Sequence, residues 1–281
     1  MAELGTTGLE AWQGRIHQEF LTELRGTAGY KKYNEMRLNS AVIGALLLAI
    51  EQAIRGIGWN FTSEEGEEDE RIELLNAARD NMSFSWNDHV IEALTMLPFG
   101  FSLFEIIYER GEDGRILWKK LAPRSQATVL NWLIEPDGGI QGFVQQSPPR
   151  YTPVTIPIEK LILYRTRVEM NNPEGRSILR TAYISYYFWK NLSEIEAIGL
   201  ERYLAGLPVI KLPAGADPTE STSDNTDYGR AHKIVRNIRQ DSQAGVVLPD
   251  GWELELMASG GSPPDTDTVI NRYETRILMA A

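Results

Sequence analysis

The sequence contains no cysteine and only three histidines among its 281 residues. The lack of cysteine excludes disulfide bonds and thiolate metal sites. His17, His89 and His232 are far apart, each within a stretch of polar, helix-like sequence. Such isolated histidines are typical of surface or partly packed side chains, so we predict no metal and no cofactor.

Long apolar runs are also missing. The longest, residues 41–50, contains Gly44 and is only half the ~20 residues that a membrane-spanning helix needs. The first residues, MAELGTTGLE, lack the basic and apolar regions of a secretory signal. We therefore expect no membrane partner and no signal peptide.

Basic residues are outnumbered, since 28 lysines and arginines stand against 39 acidic residues and give a net charge of −11. This balance disfavours a protein that grips nucleic acid by neutralising its phosphates. It is compatible with an acidic surface past which nucleic acid slides.

Catalytic motifs are equally scarce. The sequence has no nucleotide-binding P-loop, no G-x-S-x-G elbow and no H-E-x-x-H pair. Glu105 and Glu109 lie four residues apart on a predicted strand, hence ~13 Å apart, which exceeds the spacing of glycosidase carboxylates. We predict that the protein is not an enzyme. The alternative is a hydrolase that uses carboxylates of residues 101–168.

The first 170 residues predict helices followed by a β-meander. An N-terminal arm or helix is expected over residues 1–35. Ser40 has the side chain of an N-cap, before a helix that ends at Gly56 or Gly58 and that we interpret as buried and amphipathic. Further helices are predicted over 71–79 and from Ser85 onward. We interpret the acidic run 64–70 as a solvated loop that precedes the helix predicted over 71–79.

Period-two alternation then predicts strands over 101–109, 115–121, 131–135, 140–145 and within 155–168. These elements define an α+β body.

A long helix is the most informative feature of the second half. Ser177 is a candidate N-cap, and no glycine or proline interrupts the chain until Gly206 follows Ala205. A short strand, a polar loop, a helix over 230–243 and a strand-turn-strand over 244–257 follow. The helix from Thr268 is still in progress at Ala281, and we expect the natural protein to continue beyond it.

Five segments, taken in order, resemble the portal proteins of tailed bacteriophages. They are MRLNSAVIGALLLAIEQAIRGIGW (36–59), FGFSLFEIIYE (99–109), NNPEGRSILRTAYISYYFWK (171–190), ERYLAGLPVIKLPAG (201–215) and AGVVLPDGWELELM (244–257). None of them is specific alone. Their order carries the resemblance, which covers most of residues 36–281.

The resemblance implies a portal-like α+β fold with a wing body, two stem helices around a small clip, and a final long helix. After the arm (1–35), it places the wing at 36–176, the first stem helix at 177–206 and the clip at 207–229. The second stem helix is then 230–242, and the wing resumes at 243–258. A tunnel loop at 259–267 leads into the start of a wing or crown helix at 268–281, while the C-terminal crown of the family is missing.

The resemblance also implies partners and a location. The partners are other copies in a ring, commonly a dodecamer, viral double-stranded DNA in its channel, the terminase motor, head-completion or adaptor proteins, and the major capsid protein. The ring would be assembled in the host cytoplasm and reside at a capsid vertex of the virion.

Candidate residues follow from these divisions. The DNA-channel candidates are Ser259, Gly260, Gly261, Ser262, Asp265, Arg230, Lys233, Arg236 and Arg239. The candidates for contacts between stems are Glu194, Glu196, Glu201 and Arg202. The candidates for motor docking are Asp217, Glu220, Asp224, Asp227 and Tyr228.

Two questions stay open at this point. The four cations between Arg230 and Arg239 form a solvated helix face or make a functional contact. If the contact is functional, pairing with acids of a neighbouring stem helix is slightly favoured over phosphate contact. A ring-forming capsid adaptor without a through-going DNA channel is a further alternative to the portal.

Overall fold

The structure is a computed structural model, and it describes residues 4–62, 69–205, 207–213, 226–237, 247–257 and 266–280. It divides into two compact units. The first comprises Met1–Tyr186 and Glu274–Ala281, and the second comprises Tyr187–Tyr273. The division falls within two helices, one after Tyr186 and the other after Tyr273, so that both helices contribute to both units.

The first unit begins with a small hairpin, β1 (Ala11–Trp12) and β2 (Arg15–Ile16), joined by Gln13 and Gly14 in left-handed conformations. The helical part of the predicted arm starts only at α1 (Gly26–Asn39). Helix α2 (Ala41–Arg55) follows at 92° to α1, with Ser40 as its N-cap and Gly56 as its C-cap. Helices α3 (Glu70–Asp80), α4 (Trp86–Ala93) and α5 (Met96–Phe99) complete the helical part.

Local sequence explains several of these boundaries. Ser85 and Asp88 form a reciprocal capping box at the start of α4. Asp69 caps α3 by accepting a hydrogen bond from Arg71 N. Gly100 ends α5 with a φ of +92°, a left-handed conformation that glycine adopts without steric cost.

Helix α2 corrects one expectation. It has the predicted apolar composition, but Ile43 is its only buried residue, and Leu48 is 54% exposed. The helix contacts α1 and α4, and much of its remaining apolar surface is left uncovered within the chain. No single helix among the described residues is long and apolar enough to cross a membrane; only the bent pair of α1 and α2 together meets that length and composition test.

Two three-stranded antiparallel sheets form the β part. One has the order β4 (Ile116–Arg124), β3 (Phe101–Arg110), β8 (Leu161–Arg165). The other has the order β5 (Val129–Ile134), β6 (Ile140–Gln146), β7 (Pro153–Pro157). The sequence prediction placed a single strand within residues 155–168, where the structure has both the end of β7 and β8.

Strand β3 lies between two hydrophobic clusters, because successive side chains point to opposite faces. Phe101 and Leu103 join a cluster with Trp132, Phe143 and Ile156 of the second sheet. Phe104 belongs to the other cluster, and its partners there come from the helical layer and from β4: Met82, Ala93 and Leu121. The first unit therefore has three layers: the helices, the sheet that contains β3, and the sheet that contains β6.

The second unit contains most of α6 (Tyr183–Ala205), a two-stranded sheet of β9 (Leu207–Lys211) and β10 (Glu253–Met257), and α7 (Asp227–Asn237). It also contains the first half of α8 (Asp267–Ala280). Residues 247–249, predicted as a strand, are irregular, and residues 238–246, which include the end of the predicted second stem helix, lie outside the described residues.

Candidate functional site

The start of α6 is fixed to the first unit by main-chain contacts. Gly100, before β3, and Gly175, before α6, both have positive φ, and their backbones touch. A Cβ on Gly175 would lie 2.4 Å from the Gly100 carbonyl oxygen, so only glycine fits there. Thr166 links the same segments, since its N–H donates to Gly100 O at 2.9 Å and its carbonyl accepts from Arg176 N at 2.8 Å.

Ser177 does not begin the long helix, contrary to the prediction from sequence. Its hydroxyl donates to Pro98 O at 2.6 Å and accepts from Leu179 N at 3.0 Å, and a short 3-10 turn over Ile178–Arg180 follows. The α-helix starts at Tyr183 and has 23 residues, which corresponds to ~35 Å. The helix is therefore shorter than the 28 residues expected.

Two of the aromatic residues near the start of α6 anchor it. Tyr183 and Tyr186 are 3% and 2% exposed. Tyr187 and Phe188, immediately after the division between the units, are half exposed. The aromatic side chains of α6 thus change from buried to half exposed within one turn.

Apolar side chains remain exposed along one face of α6. Ile184, Phe188, Ile195 and Ile198 are between 43% and 61% exposed and are separated by four, seven and three residues. Such spacing keeps side chains on the same side of a helix. An apolar face of this kind, uncovered within the chain, is typical of surfaces that bind another protein. The sequence spacing shows that these four residues share one face of the helix, but it does not show that this face is exposed.

Helix α8 lies antiparallel to α6 in the second unit. The rings of Phe188 and Tyr273 are 5.7 Å apart, and further along α6 the Thr266 hydroxyl donates a hydrogen bond to the Glu196 carboxylate. Glu196, one of the predicted stem contacts, therefore has an intrachain partner in Thr266, a residue that the sequence did not single out.

Glu194 is exposed on α6, and the side chains of Glu201 and Arg202 lie outside those that the structure describes. The structure therefore positions two of the four stem candidates.

Helix α7 presents its cations to solvent. Arg230, Lys233 and Arg236 are exposed, while Gly229 and Ala231 are buried. Arg230 also lies 3.8 Å from Asp227 in the preceding turn. The three cations therefore share the exposed side of an amphipathic helix, whereas Arg239 lies outside the described residues.

Two of the five motor-docking candidates lie among the residues that the structure describes. Asp227 is exposed and Tyr228 is half-buried, with its ring stacked on His232. Asp217, Glu220 and Asp224 are outside the described part of the chain.

The strands β9 and β10 bring two distant segments together. Their register pairs Leu207 with Met257 and Lys211 with Glu253. Lys211 also forms an ion pair with Glu255 at 2.8 Å, which raises the pKa of Lys211 and lowers the pKa of Glu255. Both side chains are exposed, so solvent screening weakens this pair.

The predicted tunnel loop lies between described anchors. Ser259, Gly260, Gly261, Ser262 and Asp265 themselves are not described. The segment leaves β10 at Met257, which pairs with Leu207 just after α6, and ends before Thr266, which contacts Glu196 in the middle of α6. The described residues Met257 and Thr266 thus contact Leu207, just after α6, and Glu196 of α6.

The two carboxylates of the meander singled out from sequence, Glu105 and Glu109, are engaged in ion pairs. Glu105 pairs with Arg124, and Glu109 lies 3.5 Å from Lys119 and accepts from Asn81 Nδ2 at 2.8 Å. Within the described residues, no group of three or more histidine, aspartate or glutamate side chains is placed to hold a metal ion. Nothing in this geometry favours the hydrolase alternative.

Solved structures from the gene transfer agent particle share this fold. A chain in the virion of the native gene transfer agent particle matches with a TM-score of 0.56 and 14% identity, over 89% of this chain and 67% of that one. The neck of the native gene transfer agent particle, with C12 symmetry, matches over the same shares with a TM-score of 0.55 and 14% identity. A HK97-family phage portal protein from Corynebacterium diphtheriae matches more weakly, with a TM-score of 0.39 and 14% identity over 69% of this chain and 58% of that chain.

The chain thus has an α+β fold that is also found in the virion and neck of the gene transfer agent particle. The family model described as the portal protein of Mu bacteriophage matches residues 30–281. The chain belongs to that family. Its role is therefore the structural one of a portal protein, which confirms the family and the fold class predicted from the order of the sequence elements.

Proposed function

We propose that this chain is the subunit of a ring, commonly a dodecamer, that forms the DNA channel at one capsid vertex of a tailed-phage particle. The single observation that carries the proposal is the family match over residues 30–281. The similarity to the C12-symmetric neck of the gene transfer agent particle supports a ring of twelve. The proposed role is structural, without a catalytic step.

The exposed apolar face of α6 supports assembly with further copies. Ile184, Phe188, Ile195 and Ile198 are apolar side chains that remain about half exposed in the single chain. Their burial against a neighbouring copy would contribute about 25 cal/mol for each Å² removed from water. In a closed ring, every copy both presents and receives such a face.

Charges on the two helices are complementary. Glu194 is exposed on α6, and Arg236 is exposed on α7. We place Arg230, Lys233, Arg236 and Arg239 against acids of the neighbouring stem helix, among them Glu201, rather than against DNA. The net charge of −11 is consistent with this choice, because an acidic channel lets DNA slide.

The remaining assignments extend the same proposal. Viral double-stranded DNA passes the loop at 259–267 during packaging and ejection. The clip at 207–229 docks the terminase motor and later the head-completion or adaptor proteins, and the wing contacts the major capsid protein. The ring forms in the host cytoplasm and resides in the virion.

Electron microscopy with mass measurement in solution tests the ring. The variant Ile195→Asp places a charge on the exposed face of α6, and Ile116→Asp is its matched control because both side chains are about 60% exposed. We expect rings with a central hole for the parent and for Ile116→Asp, and small species for Ile195→Asp. Rings that tolerate Ile195→Asp, or fail equally with Ile116→Asp, would refute the assignment of α6 to the interface.

DNA packaging separates a portal from a capsid adaptor. Replacement of residues 259–267 by a glycine-serine segment of equal length should leave ring formation intact and impair packaging. Unimpaired packaging would mean that this loop does not face DNA. Rings that support no packaging even with the parent sequence would favour the adaptor alternative.

A further inference from the structure

A small cavity in the first unit collects arginine side chains in an otherwise acidic chain. Its volume is about 90 Å³, roughly three times the share of liquid volume that one water molecule occupies. The arginines that line it come from the segment before α1 and from the loop and turn before α6. They are Arg25, Arg167, Arg176 and Arg180.

Three carboxyl groups also line the cavity, and each already has a partner. Glu19 accepts from Arg180 Nη2 at 2.9 Å and from Leu21 N at 3.0 Å. Glu169 accepts from Arg176 Nη2 at 2.9 Å. The third carboxyl group belongs to Glu174.

The Glu174 carboxyl lies against the core of the two sheets. It accepts a hydrogen bond from the indole nitrogen of Trp132 at 3.1 Å. Burial raises its pKa, so its negative charge is disfavoured relative to a carboxyl in water. The polar partner of this carboxyl is thus the indole of Trp132 rather than a guanidinium group.

Two guanidinium groups remain without a carboxylate. Among the described residues, Arg25 and Arg167 form no ion pair with an acidic side chain within 4.0 Å. Arg25 donates instead to main-chain carbonyls, from Nε to Glu19 O and from Nη2 to Phe20 O at 3.5 Å. Since guanidinium carries five N–H donors, Arg25 retains donors beyond these bonds.

The backbone around Arg167 is held in a fixed conformation. Arg167 has a φ of +46°, and Met170 and Asn171 are also left-handed, which is uncommon for residues other than glycine. The hydroxyl of the preceding residue, Thr166, lies within hydrogen-bond distance of two carbonyl oxygens, that of Arg176 at 2.8 Å and that of Gly100 at 3.1 Å. The guanidinium of Arg167 therefore extends from a backbone that is already ordered.

We propose that this cavity is a binding site for one oxyanion, a phosphate or a carboxylate group, with Arg25 and Arg167 as its uncompensated donors. Guanidinium groups bind both anions through charge-assisted hydrogen bonds. The volume fits a single such group rather than a whole nucleotide. The inference is independent of the proposed ring, because every lining residue belongs to the first unit.

Calorimetric titration with inorganic phosphate and with acetate tests the site, at constant ionic strength set by sodium chloride. The variant Arg167→Asn removes the charge while keeping a residue that tolerates positive φ. Arg150→Asn is the control, since Arg150 is an exposed arginine away from the cavity. We expect Arg167→Asn to raise Kd at least about tenfold, the loss typical of one hydrogen bond between charged groups, and Arg150→Asn to leave it unchanged.

The two anions distinguish the source of the ligand. Phosphate bound more tightly than acetate indicates a phosphoryl ligand, and equal binding indicates a carboxylate; both support the site if Arg167→Asn weakens them. Arg25→Gln provides a second, independent variant with the same expected loss, and circular dichroism verifies that each variant folds. No heat beyond that of chloride in the parent, or equal losses in Arg150→Asn and Arg167→Asn, would overturn the proposal.

Discussion

A buried histidine should make the stability of the first unit depend on pH. His89 is 1% exposed, and its ring lies 4.5 Å from Phe104 and 5.1 Å from Trp86. Its Nε2 is 3.0 Å from the hydroxyl of Tyr164, whose own pKa is raised by burial. Burial lowers the pKa of His89 to about 4, because the charged imidazolium is poorly solvated there.

The sign and size of the effect follow from linkage. The ordinary pKa of histidine is 6.5, so between about pH 4 and 6.5 the unfolded chain binds a proton that the folded chain does not. The stabilising contribution of neutral His89 is complete above pH 6.5 and is lost as the pH falls towards 4. The shift of about 2.5 pH units corresponds to a total of about 3 kcal/mol, of which roughly 2.5 kcal/mol is lost between pH 7 and pH 4.5.

Denaturant unfolding at the two pH values measures this contribution. The variant His89→Gln cannot titrate, so its loss of unfolding free energy between pH 7 and pH 4.5 should be smaller than that of the parent by roughly 2.5 kcal/mol. His17→Gln is the control, because His17 is only half-buried. Chain concentration is held fixed, since assembly contributes to stability. An equal pH dependence in the parent and in His89→Gln would refute the reasoning.

Two further predictions concern the backbone contact before α6 and the charges on the stem helices. Gly100→Ala should lower the unfolding free energy by about 2–4 kcal/mol, because a Cβ would lie 2.4 Å from the Glu174 carbonyl oxygen. The control Gly114→Ala should lower it by only about 1 kcal/mol, because Gly114 also has a positive φ, +83°, but has open space around it. Equal losses of unfolding free energy in denaturant unfolding would contradict the close approach at Gly100. Glu194→Arg should reduce the fraction of rings counted by electron microscopy and Arg236→Glu should restore it in the double variant, while additive defects would show that these residues do not pair.

Residues that act through local backbone chemistry were predicted well from the sequence. Ser40, Ser85 and Gly56 mark helix ends as expected, because a hydroxyl cap and a terminal glycine satisfy main-chain groups within a few residues. The alternation in β3 likewise predicts a strand, because the period of two is set by the pleat of a single strand.

Features set by distant contacts were not predictable in the same way. The sequence predicted that α6 begins after Ser177, whereas the helix begins at Tyr183. The difference arises because the Ser177 hydroxyl bonds to Pro98, which lies 79 residues earlier in the chain. The exposure of Leu48 on α2 also contradicted the expected buried helix, since apolar periodicity indicates a face without showing what covers it. For the candidate site, sequence identified the acids and cations of α6 and α7, and it gave no sign of the bond between Thr266 and Glu196.

The contact between Gly100 and Gly175 helps to set where α6 begins, and it involves main-chain atoms rather than the side chains of the helix. Gly100 and Gly175 fix the origin of α6 through main-chain atoms, which every residue type shares. Substitutions further along the helix can therefore change what it binds without moving the point from which it emerges. Exposed side chains beyond the buried Tyr183 and Tyr186 can therefore vary while Gly100 and Gly175 keep the start of the helix in place.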